Sequence, residues 1–234
     1  MTTGANFEQA FNAGIRIDVG GSDDAYVGGL NKLKPYGITN QVNDVNEFRN
    51  GTTSKYTSVG DLGTISYGGN DLSDDGPQAY LRAAALAKTK LTNIRFYKNL
   101  VDFFMPDLGN DPESSVQVSS HDVAESDVNG IYEFTGEMVF NGAPATFNIH
   151  KTASTMAITP DAGGDTIDDA AATFVTDGFA VGQTIILEGV TESADDYTQH
   201  VITAVTETQI VTDSLNALTA QLTGSEFTIH GGKF

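Results

Sequence analysis

Along most of the chain apolar and polar residues alternate in twos, with β-branched and aromatic side chains between Gly, Asn and Asp punctuation, the pattern of β-strands. It predicts strands near residues 33–39, 62–68, 92–97, 115–123, 131–140 and 143–150. A second series of short strands follows near 155–158, 184–190, 200–205, 209–212 and 226–230. In the 131–140 segment one face carries Tyr132, Phe134, Met138 and Phe140, and the other carries Ile131, Glu133, Thr135, Glu137 and Val139. The first face seeks a core and the second tolerates water, because successive strand side chains point to opposite sides. Asn141-Gly142, between two such runs, is the strongest hairpin signal, since a type I′ turn needs positive φ at both central positions. The expected fold is mainly β.

One segment breaks the alternation. Gln78-Ala79-Tyr80-Leu81-Arg82-Ala83-Ala84-Ala85-Leu86-Ala87-Lys88 consists almost wholly of good helix formers. Ser73, Asp74 and Asp75 supply capping groups ahead of it, Pro77 suits a first turn, and Lys88 and Lys90 complement the carbonyl end of the helix dipole. Asp71-Leu72-Ser73-Asp74-Asp75-Gly76 also resembles the first half of a calcium loop. Arg82 stands where the closing bidentate Glu would be, so helix capping is the expected role.

Residues 41–60 are polar and too long for an ordinary connection in a compact domain. Val42, Val45, Phe48 and Tyr56, with Arg49 among them, would be poorly buried within a monomer. The stretch therefore reads as a loop that docks on a partner.

The distribution of charge suggests two domains within the 234 residues. Residues 1–150 hold ten Lys or Arg and nineteen Asp or Glu, whereas residues 152–232 hold twelve acids and no Lys or Arg. A boundary near Lys151 follows, giving domains 1–151 and 152–234. A net charge of −19 disfavours a role in gripping DNA or anionic lipid, for want of a basic cluster. The absence of cysteine excludes disulfides and thiolate metal sites. No apolar run reaches the roughly 20 residues of a membrane helix, and the first residues lack the pattern of an export signal, so a soluble chain without membrane contact is expected.

Candidate chemistry is sparse. His121, His150, His200 and His230 are widely spaced and form no metal-binding or catalytic motif, so structural or surface roles are expected. No nucleophile elbow, Walker loop or dinucleotide fingerprint occurs, and the Gly-Gly pairs at Gly20, Gly28, Gly68 and Gly163 fit turns or bulges. Glu133 and Glu137 share a strand face as a glycosidase pair would, but no aromatic sugar platform accompanies them. Asp165, Asp168, Asp169, Asp195 and Asp196 could hold a hard cation, although acidic surface turns are the plainer reading. Neither enzymatic activity nor a cofactor or bound metal is expected.

The order of parts is nonetheless specific: a strand pair with a long intervening stretch, one strand, an Ala-rich helix, an extended strand, and a closing pair ending at His150. Gly60-Asp61-Leu62-Gly63-Thr64-Ile65-Ser66-Tyr67, the helix at Gln78, Leu91-Thr92-Asn93-Ile94-Arg95-Phe96-Tyr97 and Tyr132-Glu133-Phe134-Thr135-Gly136-Glu137-Met138 carry the likeness. Over roughly residues 5–150 the chain resembles the major tail tube proteins of long-tailed bacteriophages, relatives of the tubes of type VI secretion and contractile injection systems. The resemblance implies a tail-tube-type β-sandwich or barrel with one α-helix, plus a small all-β C-terminal domain displayed outside the tube. It further implies hexameric rings that stack, with Glu133, Thr135 and Glu137 facing an acidic lumen through which DNA passes without specific binding. Val42, Val45, Phe48, Arg49 and Tyr56 would make the contact between rings. Implied partners are further copies of the chain and the tape measure, tail terminator and distal tail proteins, all in a virion tail. The insertion around Val101-Asp102-Phe103-Phe104-Met105-Pro106 departs from the family pattern, which often has a short turn there. An acidic cell-surface adhesion or surface-layer protein would share this composition, but should carry an export signal.

Overall fold

The computed structural model describes residues 14–19, 24–34, 42–47, 52–57, 64–125, 131–142, 144–171, 173–192, 195–214 and 216–233. The fold is mainly β, with antiparallel pairing between neighbouring strands. The first part contains β1 (Gly14–Asp18), β2 (Asp24–Tyr26), β3 (Leu30–Lys34), β4 (Val42–Glu47), β5 (Thr52–Thr57) and β6 (Thr64–Asn70). Helix α1 (Gly76–Ala87) leads into β7 (Lys90–Leu91), β8 (Ile94–Tyr97), β9 (Phe103–Pro106), β10 (Ser115–Glu125), β11 (Tyr132–Asn141) and β12 (Pro144–Ala153). Then come β13 (Met156–Thr159), β14 (Thr166–Asp169), the short α2 (Phe174–Asp177), β15 (Thr184–Glu188), β16 (Gln199–Val205), β17 (Gln209–Thr212) and β18 (Phe227–Lys233).

Two larger sheets organise these elements. One has five strands in the order β3-β6-β11-β10-β7, and the other has eleven in the order β13-β14-β17-β16-β15-β18-β12-β9-β8-β1-β2. The inner face of the five-stranded sheet packs on α1 and on β1, β8 and β9, making a sandwich core of Ile15, Ile65, Leu81, Phe96, Phe134, Met138 and their neighbours. A second core, with Ile158, Ile167, Phe174, Ile185, Ile202, Phe227 and Ile229, lies within the C-terminal strands. A third cluster of Tyr97, Phe103, Met105, Ala145, Phe147 and Ile186 sits along the join. Stacked rings stiffen that region: Phe96 lies on Phe104 and Phe103 on Phe147, each with centroids 5.0 Å apart.

Several expectations change here. Asn141-Gly142 does not close a hairpin, because β11 pairs with β10 and β6, whereas β12 pairs with β9 and β18. The dipeptide is a corner between sheets. Gly142 has φ +87° and a Cβ there would meet the Asp111 carboxylate at 2.4 Å, so glycine is needed at the corner for its conformation and its size. The stretch read as a loop at 41–60 contains β4 and β5, which pair as an antiparallel two-stranded arm. A second helix, α2, joins the expected one, and β14 occupies the acidic segment read as a turn. The boundary placed near Lys151 falls within β12, which pairs with β9 over residues 144–147 and with β18 over residues 146–153.

Helix α1 forms as its sequence dictates. The Asp75 carboxylate accepts from the Gln78 N–H at 2.8 Å, Pro77 occupies the first turn, and Lys88 ends the helix in a left-handed conformation at φ 54°. Arg82 pairs with Asp71 at 2.9 Å, so the residue that spoils the calcium pattern instead ties the helix to the strand before it.

Candidate assembly surface

The outer face of the five-stranded sheet is built from the polar half of each alternating strand. On β11, Phe134, Gly136, Met138 and Phe140 are buried, Thr135 and Glu137 are exposed, and Glu133 is half-buried. Register aligns the strands into cross-sheet rows. One row runs Lys34, Ser66, Glu137, Ser120, and the next runs Lys32, Gly68, Thr135, Asp122. All of these but Gly68 line a shallow trough of about 780 Å³. Thus Glu133, Thr135 and Glu137 lie on one side of β11. The face grades from basic at β3 to acidic at β10, a polarity not anticipated from the sequence.

Both margins of this sheet are open among the described residues. β3 pairs only with β6, and β7 covers β10 only at Val116 and Gln117, leaving residues 118–125 of β10 with a single neighbouring strand. Lys32 and Lys34 are exposed on the first margin, and Asp122 and Glu125 on the second. Alternating lysines within a five-residue strand were the available signal for the basic edge. Its use depends on knowing that β3 is terminal in the sheet.

The two ends of the sheet also differ. The β4–β5 arm leaves from the end where β3 stops and β6 starts. At the opposite end, where β6 stops and β11 starts, Leu72, Ile131 and Tyr132 are exposed apolar residues. Val42 and Val45 lie in β4 and Tyr56 in β5, while Phe48 and Arg49 fall outside the described residues.

Inside the sheet, the Tyr67 hydroxyl and His121 Nδ1 lie 3.0 Å apart, and the His121 ring stacks on Phe134 at 5.5 Å. Burial pushes the Tyr67 phenol up and His121 down, so both groups are neutral here. This is packing support for the strand that displays Thr135 and Glu137.

No family model and no curated protein matches the sequence. Among solved structures, the chain is similar to a protein in the tail of an empty gene transfer agent particle of C6 symmetry, with a TM-score of 0.42 and 15% identity over 57% of this chain and 93% of that one. It is similar to a protein of the native gene transfer agent virion, with a TM-score of 0.41 and 13% identity over 58% and 95% of the two chains. A type six secretion system protein gives 0.40 and 13% over 69% and 96%. Each is a partial likeness at low identity.

The acidic C-terminal segment uses its carboxylates internally. Asp165 accepts from the N–H groups of Asp161 and Leu218, and Asp195 from that of Thr219. Asp169 and Asp177 hold the Lys151 ammonium at 3.1 and 3.0 Å. Against burial, the Ala171 N–H, the Thr155 hydroxyl and Lys151 hold the Asp169 carboxyl below the usual range, and the Thr173 hydroxyl, aided by Lys151, does the same for Asp177. The cation for this segment is therefore a lysine of β12. No group of three or more His, Asp or Glu among the described residues is arranged to hold a metal.

Proposed function

We propose that this chain is the subunit of a hollow tube of stacked rings, a tail tube like those its sequence resembles. The observation that carries the reading is the five-stranded sheet with one polar face uncovered and two open margins of opposite charge. An open margin presents unpaired backbone N–H and C=O groups that another strand can satisfy. Strand directions alternate from β3 through β10, so β3 of one copy meets residues 118–125 of β10 in the next as another antiparallel neighbour. Lys32 and Lys34 then approach Asp122, which projects from the same face, whereas Glu125 projects from the other. Such a head-to-tail contact repeats with the same hand and closes into a ring. The resemblance supplies the number six.

Closure turns the outer face inward as a channel wall, with Glu133, Thr135 and Glu137 repeated around it. Duplex DNA carries about one negative charge per 1.7 Å, and a handful of phosphate contacts would hold it strongly. On that face Asp122, Glu133 and Glu137 outnumber Lys32 and Lys34, so the wall is net negative and DNA slides without being gripped. The β4–β5 arm, with Val42, Val45 and Tyr56, extends along the axis to the apolar end of the adjacent ring at Leu72, Ile131 and Tyr132. Residues 152–234 form the exterior of the tube in a virion tail. The partners on this reading are further copies of the chain, with tape measure, terminator and distal tail proteins at the ends.

Negative-stain microscopy of the purified full chain across a concentration series tests this reading. Hollow rings or tubes are the expected result. A chain that stays monomeric at high concentration overturns it.

A further inference from the structure

Four neighbouring strands carry a row of ionisable side chains across one face of the eleven-stranded sheet. Asp102, just ahead of β9, is followed by His150 on β12, His230 on β18 and Glu188 on β15. His150 Nε2 lies 2.9 Å from Asp102 Oδ1, the two Nδ1 atoms lie 2.8 Å apart, and His230 Nε2 lies 3.0 Å from Glu188 Oε2. The rings meet because His150 and His230 are direct cross-strand partners. Exposure rises toward the ends: the His230 side chain is 8% exposed, His150 20%, Asp102 33% and Glu188 35%.

Counting protons fixes the charge of the row. Its three contacts need three hydrogens. Both carboxylates are ionised, since the His150 hydrogen bond holds Asp102 below the ordinary range and that of His230 pulls Glu188 down to about 2. Two neutral imidazoles carry only two ring hydrogens, so one more proton is required. Burial favours neutral His230. Neutral His230 donates from Nε2 to Glu188 and presents a bare Nδ1 to its neighbour. His150 must then donate from both nitrogens, to Asp102 and to His230.

We propose that His150 is a resident imidazolium whose proton clasps β12 to the β9 entry on one side and to β18 on the other, across the join between the two cores. The surrounding groups fit this assignment. Lys98 and Asn99 flank Asp102, while the Tyr197 hydroxyl donates to Glu188 and Arg16 lies 3.6 Å from it. Arg95, beneath the Tyr197 ring, adds positive potential that opposes a second proton on His230. Tyr97 packs beside Arg16. When His150 loses its proton, a lone pair faces either a carboxylate or another lone pair, and one contact opens. Because loss of the proton costs one of these contacts, folding weakens as pH rises. The clasp belongs to the single chain and is independent of ring formation. A metal ion between the two Nδ1 atoms is the rival occupant, because carboxylate-tied imidazoles are also how zinc ligands are oriented. No third ligand completes such a site among the described residues.

Nitrogen NMR of the full chain with labelled histidine tests the assignment. At pH 6 His150 should show two N–H groups and His230 one, at Nε2, with both rings shifting together as pH rises to 8.5. Over that range the folding equilibrium constant should fall as the clasp loses its proton. His150→Gln should remove that slope. Asp102→Asn keeps both rings and should move the shared titration to lower pH, which tests the clasp even if His150→Gln does not fold. A single N–H on His150 at pH 6, or one tightly held zinc ion per chain on metal titration, overturns the proposal.

Discussion

The carboxylate of Asp75 caps α1 and also accepts the backbone N–H of Gly28 at 3.0 Å, across 47 positions of sequence. The helix start is thereby fixed to the turn that precedes β3. Gln78 completes the joint, donating to the Gly28 carbonyl at 2.7 Å and to that of Asn70 at 3.1 Å. Asp75→Ala removes a cap and strands a second donor, so a loss of about 2–3 kcal/mol is expected. Asp75→Asn, which keeps one acceptor, should lose less. Urea denaturation of both variants measures the difference.

Gly136 allows β11 to pass under the Tyr67 ring. A Cβ at this position would meet Tyr67 Cζ at 2.3 Å and the Ser120 carbonyl at 2.6 Å. Gly136→Ala should displace the ring, break its contact with His121 and cost about 1–3 kcal/mol, as overpacking does. A fall in the urea midpoint at unchanged slope is the expected signature.

Much of the fold is legible where one local pattern decides it. The alternation in β11 separates Phe134 and Met138 from Thr135 and Glu137, and the capping residues before Pro77 locate α1, because both depend on near neighbours. Asn141-Gly142 misleads because a corner between sheets and a hairpin ask the same of two residues. What separates them is the distant partner, β18, which claims β12 instead. His150 and His230 look unrelated in sequence for the same reason, and become a pair only through that register. The basic edge at Lys32 and Lys34 likewise has meaning only once β3 is known to be terminal.

Charge reversal at one margin should block assembly. On the proposed ring contact, Lys32→Glu with Lys34→Glu sets like charges against Asp122 of the neighbouring copy, and should raise the concentration needed for rings at least tenfold, equivalent to about 1.4 kcal/mol. Adding Asp122→Lys to the same chain restores an opposite-charge contact. Sedimentation of the three proteins reads the result, and rings formed equally well by the first variant would remove these margins from the contact.

Glu133→Lys with Glu137→Lys changes only outward-facing side chains, so stability should move by no more than about 0.5 kcal/mol per site. The channel wall, however, gains positive charge at every subunit. Passage of DNA through tubes carrying both changes should slow, and more so at low salt. Genome release timed from particles built with this variant measures it, and normal rates would place these glutamates away from the channel.

His200 sets an acid limit on the C-terminal core. It is fully buried on β16, and neither ring nitrogen has a hydrogen-bond partner among the described residues. Burial pushes its pKa down, only partly opposed by Asp213, Asp165 and Asp195. The folded state therefore prefers the neutral ring, while the unfolded chain takes up a proton below about pH 6.5. Stability from this residue is present above that value and is lost as pH falls, by at most about 1.4 kcal/mol per pH unit. Burial drives His121 and His230 the same way, so the acid limb is shared. The Glu188 carboxylate contributes only further down, between the usual glutamate range and about 2. His200→Leu should therefore flatten, without abolishing, the loss of stability between pH 6.5 and 5, and leave any change above pH 6.5 untouched. Chemical unfolding across pH 5–8.5 resolves the two limbs because the histidines act with opposite sign, and an acid slope unchanged by His200→Leu would assign the limb to His121 and His230.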